Sequence, residues 1–277
     1  MKKQILLSTL FFVVVSSGRA QDSTETRQQS LSFKLGGFYT SRLHYYGRTD
    51  SLRSSGFFPI AELGLGKNFY MNAAPVFVIN SAVGSRYEGT VATAGFRFLK
   101  QGEYLFHVYG VKPFYRDNSA LPQSALQWQG AVSYSRFSQW LNVTVAADLK
   151  KSAATDWGSS VSLDHVFRKE WNKMVLVVDP TASLHAGTQR FTSTSYRKNG
   201  WLIFPGITEQ VDEEVKRFTI LSYEFSLPVV LAPGSWQLIL SPSYVIPQNL
   251  VVPANRPELA EQGRSMFYVT AGARYSF

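Results

Sequence analysis

The chain has 277 residues, no cysteine and a formal net charge of +9, and aromatic residues make up 14% of it. The absence of cysteine excludes a disulfide framework. No stretch beyond the N-terminal region approaches the roughly 20 apolar residues that a membrane-spanning helix needs, because charged residues, serine or glycine interrupt each candidate. The composition therefore excludes a helical membrane protein and a disulfide-stabilised domain.

The N-terminus has the pattern of a secretory signal peptide. Lys2 and Lys3 form a basic start, Ile5 to Val15 an apolar segment, and Gly18-Arg19-Ala20 a small-residue cleavage site. The apolar segment is too short to span a bilayer as a helix. Removing this leader leaves a formal charge of about +6 and enough residues for one large all-β domain rather than two.

Segments of alternating polarity recur along the rest of the chain. In the seventh segment, leucine, valine and alanine alternate with polar residues from Leu141 to Lys150. A strand with one face in lipid and one face in a polar lumen has this period of two. Twelve such segments lie near 31–43, 57–66, 69–79, 89–99, 103–115, 124–136, 140–150, 156–167, 174–187, 215–229, 235–246 and 265–277.

The connections between these segments alternate between long and tight. The long ones are expected around 44–56, 80–88, 116–123, 151–155, 188–214 and 247–264, and the tight ones at 67–68, 100–102, 137–139, 168–173 and 230–234. A barrel with both termini in the periplasm has this rhythm of external loops and internal turns. We therefore predict a single transmembrane antiparallel up-and-down β-barrel of about twelve strands, with ten or fourteen as alternatives. The predicted divisions are a signal peptide at 1–20, a short periplasmic tail at 21–30 and the barrel at 31–277.

The last segment ends the chain on an aromatic residue. Tyr275 and Phe277 share the apolar face of the strand that begins near Phe267. This strand resembles the closing strand of Gram-negative outer-membrane β-barrels. The resemblance implies an outer-membrane location, contact with lipid and lipopolysaccharide, and recognition of Tyr275 and Phe277 by the barrel insertion machinery. Two stretches, 223–228 and 241–249, look like the penultimate strands of uncharacterised barrels from the Bacteroidota, which implies no activity.

The same alternation assigns charged and amide side chains to the inner face of the barrel. An arginine or lysine that faces lipid near the midplane costs about 2–4 kcal/mol, so the inner face is favoured. Inside, such residues either line a water-filled path and set its selectivity, or pair across the lumen and plug it. The sequence leaves both interpretations open. The lumen-lining candidates are Lys34, Glu62, Arg97, Gln127, Gln129, Asp148, Asp164, Glu224 and Arg274.

One external connection contains an apolar run, Trp201, Leu202, Ile203 and Phe204. An exposed apolar patch usually has something covering it. The run is therefore a candidate constriction at the barrel mouth, a hairpin that extends the wall, or a contact with a partner.

Catalytic patterns are weak throughout the sequence. Ser183 and His185 share a strand face, but their order is the reverse of that in outer-membrane phospholipases, and the adjacent Asp164 and His165 point to opposite faces. No spacing predicts a metal site, a cofactor or nucleic-acid binding. We predict no catalytic residue, no metal and no cofactor. The expected function is a passive or gated pore for small solutes; the alternatives are a structural or surface-interaction barrel with a plugged lumen and, third, a barrel hydrolase.

Overall fold

The structure, a computed structural model, describes residues 31–49, 53–82, 84–116, 126–152, 155–172, 174–188, 218–250 and 263–277. The predicted signal peptide, the periplasmic tail and the run from Trp201 to Phe204 lie outside the described residues. Within these ranges the regular structure consists of strands. They contain no helix long and apolar enough to cross a membrane.

Seventeen strands are formed in the described ranges. In chain order they are β1 (Leu31–Thr40), β2 (His44–Tyr45), β3 (Arg48–Thr49), β4 (Ser55–Leu65), β5 (Phe69–Asn80), β6 (Gly84–Lys100), β7 (Tyr104–Tyr115), β8 (Trp128–Arg136), β9 (Asn142–Lys151), β10 (Thr155–Asp164), β11 (Phe167–Trp171), β12 (Met174–Val178), β13 (Thr181–Thr188), β14 (Phe218–Ser226), β15 (Val229–Pro233), β16 (Trp236–Pro247) and β17 (Met266–Ser276).

These strands form one closed antiparallel barrel of twelve wall strands, which confirms the predicted fold. Three consecutive pairs, β10 with β11, β12 with β13, and β14 with β15, each make one long wall strand with a two-residue interruption. Two of these interruptions contain Pro180 and Pro228, which lack the N–H that an unbroken ladder requires. The barrel closes where β1 pairs with β17 from Lys34–Ser276 to Thr40–Thr270.

The outer surface of the wall is a belt of large apolar side chains. In β1 and β17 alternate residues are turned toward the lumen, which leaves the intervening apolar residues outside. Lipid is the environment that such a surface fits. Exposed members from around the wall are Leu35, Phe57, Met71, Phe96, Val108, Val132, Val145, Val161, Phe225, Leu238 and Phe267.

The two rims of the barrel differ. At one, called here the turn end, neighbouring strands meet through short turns and the described chain begins and ends; at the other, the loop end, lie the remaining connections. The prediction of a long connection at 80–88 is wrong, since β5 and β6 pair as far as Asn80–Gly84. The predicted turns at 168–173 and 230–234 are also too long, because most of these residues belong to β11 and β15, which both pair with β12. Backbone pairing extends the wall at the turn end there.

The first connection also departs from its prediction. Instead of forming an external loop at 44–56, the chain after β1 turns into the lumen, where β2 and β3 pair as a short hairpin. Tyr46 and Gly47 form its turn with φ of 50° and 81°. Positive φ at both central residues is the geometry of a tight two-residue hairpin, and glycine adopts it without strain. We call residues 41–49 the plug.

Candidate functional site

The plug is fixed to the wall at its base. The backbone N–H of Ser41 donates to the carbonyl oxygen of Val269 at 2.9 Å, and Val269 N–H donates back to Ser41 Oγ at 2.9 Å. Leu43 N–H donates to Ser54 O at 2.7 Å. The plug therefore starts beside the seam between β1 and β17.

Arg48 anchors the tip of the plug. Its side chain is 4% exposed, and its guanidinium donates to the carbonyl oxygens of Leu221 at 3.2 Å and Gln248 at 3.1 Å. It also donates to Tyr46 O within the plug at 3.3 Å. A buried charge is costly unless hydrogen bonds satisfy it, and each such bond contributes about 1.5–3 kcal/mol. These bonds hold the tip against β14 and the end of β16.

Aromatic side chains of the plug fill the lumen. Tyr45 and Tyr46 pack in one buried cluster with Leu126 and Leu221. The ring centre of Tyr46 lies 4.9 Å from that of His185. Because Leu126 immediately precedes β8, which lies across the barrel from β14 and β17 in the strand order, the plug crosses the lumen.

A cavity of about 610 Å³ lies between the plug and the turn end. Its lining includes Gln101, Gly102 and Phe137 at the turn end and Leu126 beneath the plug. Its upper wall is apolar, because inward residues of β1, β4, β5, β6 and β7 are aromatic or branched there. The residues of this apolar roof are Phe38, Phe58, Ile60, Val76, Val91 and Val111.

Below the roof, one side of the cavity carries a basic cluster. Lys34 Nζ lies 3.1 Å from Glu62 Oε1, and an Arg97 terminal nitrogen lies 3.9 Å from Glu62 Oε2. The Arg97 guanidinium carbon stacks 3.7 Å from the ring centre of Tyr70. Arg274 donates to the Gln237 side-chain oxygen at 3.1 and 2.5 Å. Three cations and one carboxylate therefore share this side.

The other side of the cavity carries acids, neutral polar groups and one further cation, Arg168 on β11. Asn142 Nδ2 donates to Asp164 Oδ2 at 2.8 Å, and Thr144 Oγ1 donates to Ser135 Oγ at 2.8 Å. Asp179 and Gln129 also line it. The balance of charge therefore differs between the two sides: three cations and Glu62 on the first, and Asp164, Asp179 and Arg168 on the second.

The remaining lumen candidates lie elsewhere. Asp148 pairs with the buried Lys150 close to the plug, and Glu224 accepts a 2.6 Å hydrogen bond from the Tyr268 hydroxyl. Gln127 is exposed just before β8 and is not among the residues that line the cavity.

Tyr275 and Phe277 lie at the turn end. The ring centre of Tyr275 is 5.0 Å from that of Trp236, and the ring centre of Phe277 is 5.4 Å from that of Phe33. The aromatic end of the chain is therefore packed against both neighbouring strands.

A Ser-His-Glu arrangement occurs in the wall but lacks catalytic geometry. His185 Nε2 lies 3.9 Å from Glu224 Oε2, while Ser183 Oγ shares a 2.8 Å hydrogen bond with Ser162 Oγ. A nucleophile needs its hydroxyl within hydrogen-bond reach of the base, and this hydroxyl is bonded to another serine. No group of three metal-binding side chains occurs among the residues that the structure describes.

The sequence did not predict the residues of the plug. His44, Tyr45, Tyr46 and Arg48 lie in a segment expected to be an external loop. Two adjacent tyrosines followed by glycine are the available signal, because buried aromatic residues on either side of a tight turn are unusual in a solvated loop.

The comparisons with known proteins agree with this fold. No protein-family model matches the sequence, and no curated protein matches it. Among solved structures, a KdgM porin is similar with a TM-score of 0.51 and 8% identity, over 88% of this chain and 99% of that one. An outer membrane channel from Pseudomonas putida F1 has a TM-score of 0.48 and 10% identity, over 93% and 99%. At these identities the similarity shows the fold alone: that of an outer-membrane β-barrel.

Proposed function

We propose that this protein is an outer-membrane pore for small solutes, gated by the plug and closed in the present conformation. The observation that carries the proposal is the cavity that runs from the turn end to Phe38, Phe58 and Leu126, side chains that pack against the plug. Charged side chains that line a water-filled path set the preference of a pore for ions. In this proposal the turn end faces the periplasm, and Lys34, Glu62, Arg97 and Arg274 act on the solute.

The way in which the plug is held supports a gate. It consists of a short hairpin bonded to the wall largely through backbone carbonyls and one arginine side chain. Its removal would leave the wall pairing of β1 with β4 and β17 in place. The plug can therefore move while the strand pairing of the barrel wall stays intact.

A reversible covalent lock tests the gate. Arg48 and Gly263 form an isolated antiparallel bridge, and a Cβ at Gly263 would lie 3.5 Å from Arg48 Cγ. The same Cβ would lie 2.6 Å from a methyl carbon of Leu250, so the Leu250 side chain must shift to admit it. Because the chain has no cysteine, the pair Arg48→Cys and Gly263→Cys introduces the only thiols. Planar-bilayer recordings of the oxidised double variant should be silent, and addition of a reductant should produce discrete conducting steps.

The Arg48→Cys single variant is the matched control. It lacks the anchoring guanidinium and has no partner thiol, so it should conduct with and without reductant. Silence of the single variant, of the reduced double variant and of a barrel that lacks residues 44–49 would contradict the pore.

A sealed structural barrel is the second candidate. It is favoured by the buried pairing beside the plug, where Lys150 contacts Asp148 and is 3% exposed. Inward charges that pair in this way rigidify a wall rather than line a path. Neither candidate assigns an enzymatic role, and the resemblance to barrels of the Bacteroidota stays a prediction.

A further inference from the structure

We propose that the lumen cavity binds an amphipathic organic anion, specifically a medium-chain carboxylate, with its charge on the basic cluster and its chain against the apolar roof. This inference rests on the proposed pore function, because it names the class of solute that would occupy the cavity while the plug is docked.

The basic cluster provides the site for the carboxylate. Arg97 Nε is buried without a hydrogen-bond partner among the described residues. Its nearest carboxylate, Glu62, is 3.9 Å away and already accepts a closer contact from Lys34. Nε itself is closed to the cavity, but the Arg97 side chain is 20% exposed, so a bound carboxylate would contact the terminal nitrogens of this planar guanidinium.

The apolar roof provides the site for the chain. Phe38 and Phe58 are opposite each other in the register, as are Lys34 and Glu62. The two pairs are four residues apart on β1, which is about 13 Å along the strand. Charge at one height and apolar surface at the next fit a ligand with one charged and one apolar end.

The excess of cations over carboxylates in the basic cluster argues against a cationic ligand at this position. The acids Asp164 and Asp179 line the cavity from the other side, together with Arg168. A cavity of about 610 Å³ also lies in the range of pockets that enclose a small organic molecule.

Calorimetric titration of the intact closed barrel, held in amphipol, tests this site without requiring conduction. The probes are sodium octanoate, octylammonium chloride and 1-octanol. Octanoate should bind, and each methylene added between hexanoate and decanoate should tighten binding about threefold to fourfold. Octylammonium and octanol should bind at least about tenfold more weakly, because neither satisfies the arginine.

Arg97→Gln should weaken octanoate binding about tenfold. The control is Lys112→Gln, which removes a cation from the same side of the barrel but from an outward-facing, exposed position on β7; it should leave the affinity unchanged. Val91→Thr should weaken decanoate more than hexanoate, because it places a hydroxyl in the roof. This chain-length dependence would remain informative if Arg97→Gln failed to fold.

Equal binding of octanol and octanoate would overturn the proposal, and so would equal effects of Arg97→Gln and Lys112→Gln. The two proposals fail separately. A barrel that binds octanoate but never conducts contradicts the pore alone, whereas a conducting barrel with no preference for octanoate contradicts only the ligand.

Discussion

Arg48 shows how one side chain fixes the plug to the wall. Its guanidinium reaches the carbonyl oxygens of Leu221, at the register shift within β14, and of Gln248, just after β16. Truncation would leave Leu221 O with the Gln248 N–H at 2.8 Å but would remove the charged donor from both carbonyls, which costs more than the loss of an ordinary hydrogen bond. In the proposed gate, docking of the plug therefore depends on a residue that belongs to no wall strand.

We expect His44 to make the docking of the plug sensitive to pH. Burial lowers the pKa of His44 to about 4, and the nearby His185 adds to the shift. In a released plug the imidazole returns to an ordinary pKa of about 6.5. The released state thus binds the proton more tightly, so docking is strongest above pH 6.5 and weakens as the pH falls toward 4.

We therefore expect the open probability in planar bilayers to rise as the pH is lowered from 7 to 4.5. His44→Phe keeps a ring against Tyr268, whose centre lies 4.4 Å from that of His44, and removes the titrating group. The variant should show a smaller rise than the wild type. Identical pH profiles for the two proteins would mean that another group controls release.

Alternation in the sequence predicts which face each residue belongs to, but not which inward residues meet. Glu62 contacts Lys34 and Arg97 because register brings β1, β4, β5 and β6 to one height, and register is fixed by pairing across the whole wall. The plug was missed for a different reason. A two-residue strand is too short to display a period, so no pattern marks β2 or β3.

At the scale of elements, the seam between β1 and β17 combines close packing inside with apolar residues outside. Gly272 lies opposite Phe38 in the register, and a side chain at Gly272 would clash with the Phe38 ring. The ring of Phe38 therefore covers the backbone of the closing strand. The seam depends on a glycine at this position.

Gly272→Val should destabilise the barrel by about 1–3 kcal/mol, the usual cost of overpacking. The measurement is the temperature at which the folded band disappears on an electrophoretic gel run without full denaturation. Ala271→Val, on the outward face of the same strand, is the matched control and should leave that temperature nearly unchanged. In a Phe38→Ala background, Gly272→Val should cost much less than it does in the wild type, and equal costs in the two backgrounds would argue against the contact.

The end of β17 is the element on which insertion is expected to depend. Phe277 N–H donates to Phe33 O at 2.9 Å, and its ring is exposed at the turn end. Phe277→Asp should reduce the amount of folded barrel in the outer membrane while export continues, because a charge replaces an aromatic residue at the membrane boundary. Phe277→Trp should preserve insertion. Wild-type amounts of the aspartate variant, measured in membrane fractions, would refute the role of this residue.

At the scale of the whole molecule, segment length and alternating polarity predicted the twelve wall strands, because a wall that crosses the bilayer and faces lipid constrains both properties. They did not predict where the strands end at the two rims. Backbone pairing continued through β11 and β15, where the predicted turns contained residues that suit strands equally well. Pro228, near the end of the predicted strand 215–229, conceals the continuation into β15.

The orientation of the barrel in the membrane, with the turn end toward the periplasm, is a separate prediction. A short epitope inserted at Ser193, in the connection outside the described residues, should be accessible to antibody on intact cells. The same epitope at Gly102, which forms a turn with φ of 73°, should become accessible only after the outer membrane is permeabilised. Reversed accessibility would place the turn end on the cell surface.

The position of the plug in the chain has a consequence for how the barrel assembles. Arg48 lies early in the sequence, yet its carbonyl partners lie 173 and 200 residues further along. Contacts of such sequence separation form late, since most of the chain must be ordered before the two ends meet. Tyr45 and Tyr46 therefore remain uncovered in any intermediate that lacks β14 and β16. Burial of the two tyrosines and closure of the wall between β1 and β17 are therefore coupled steps. An assembly intermediate that lacks its last strands would expose this aromatic hairpin to chaperones and proteases.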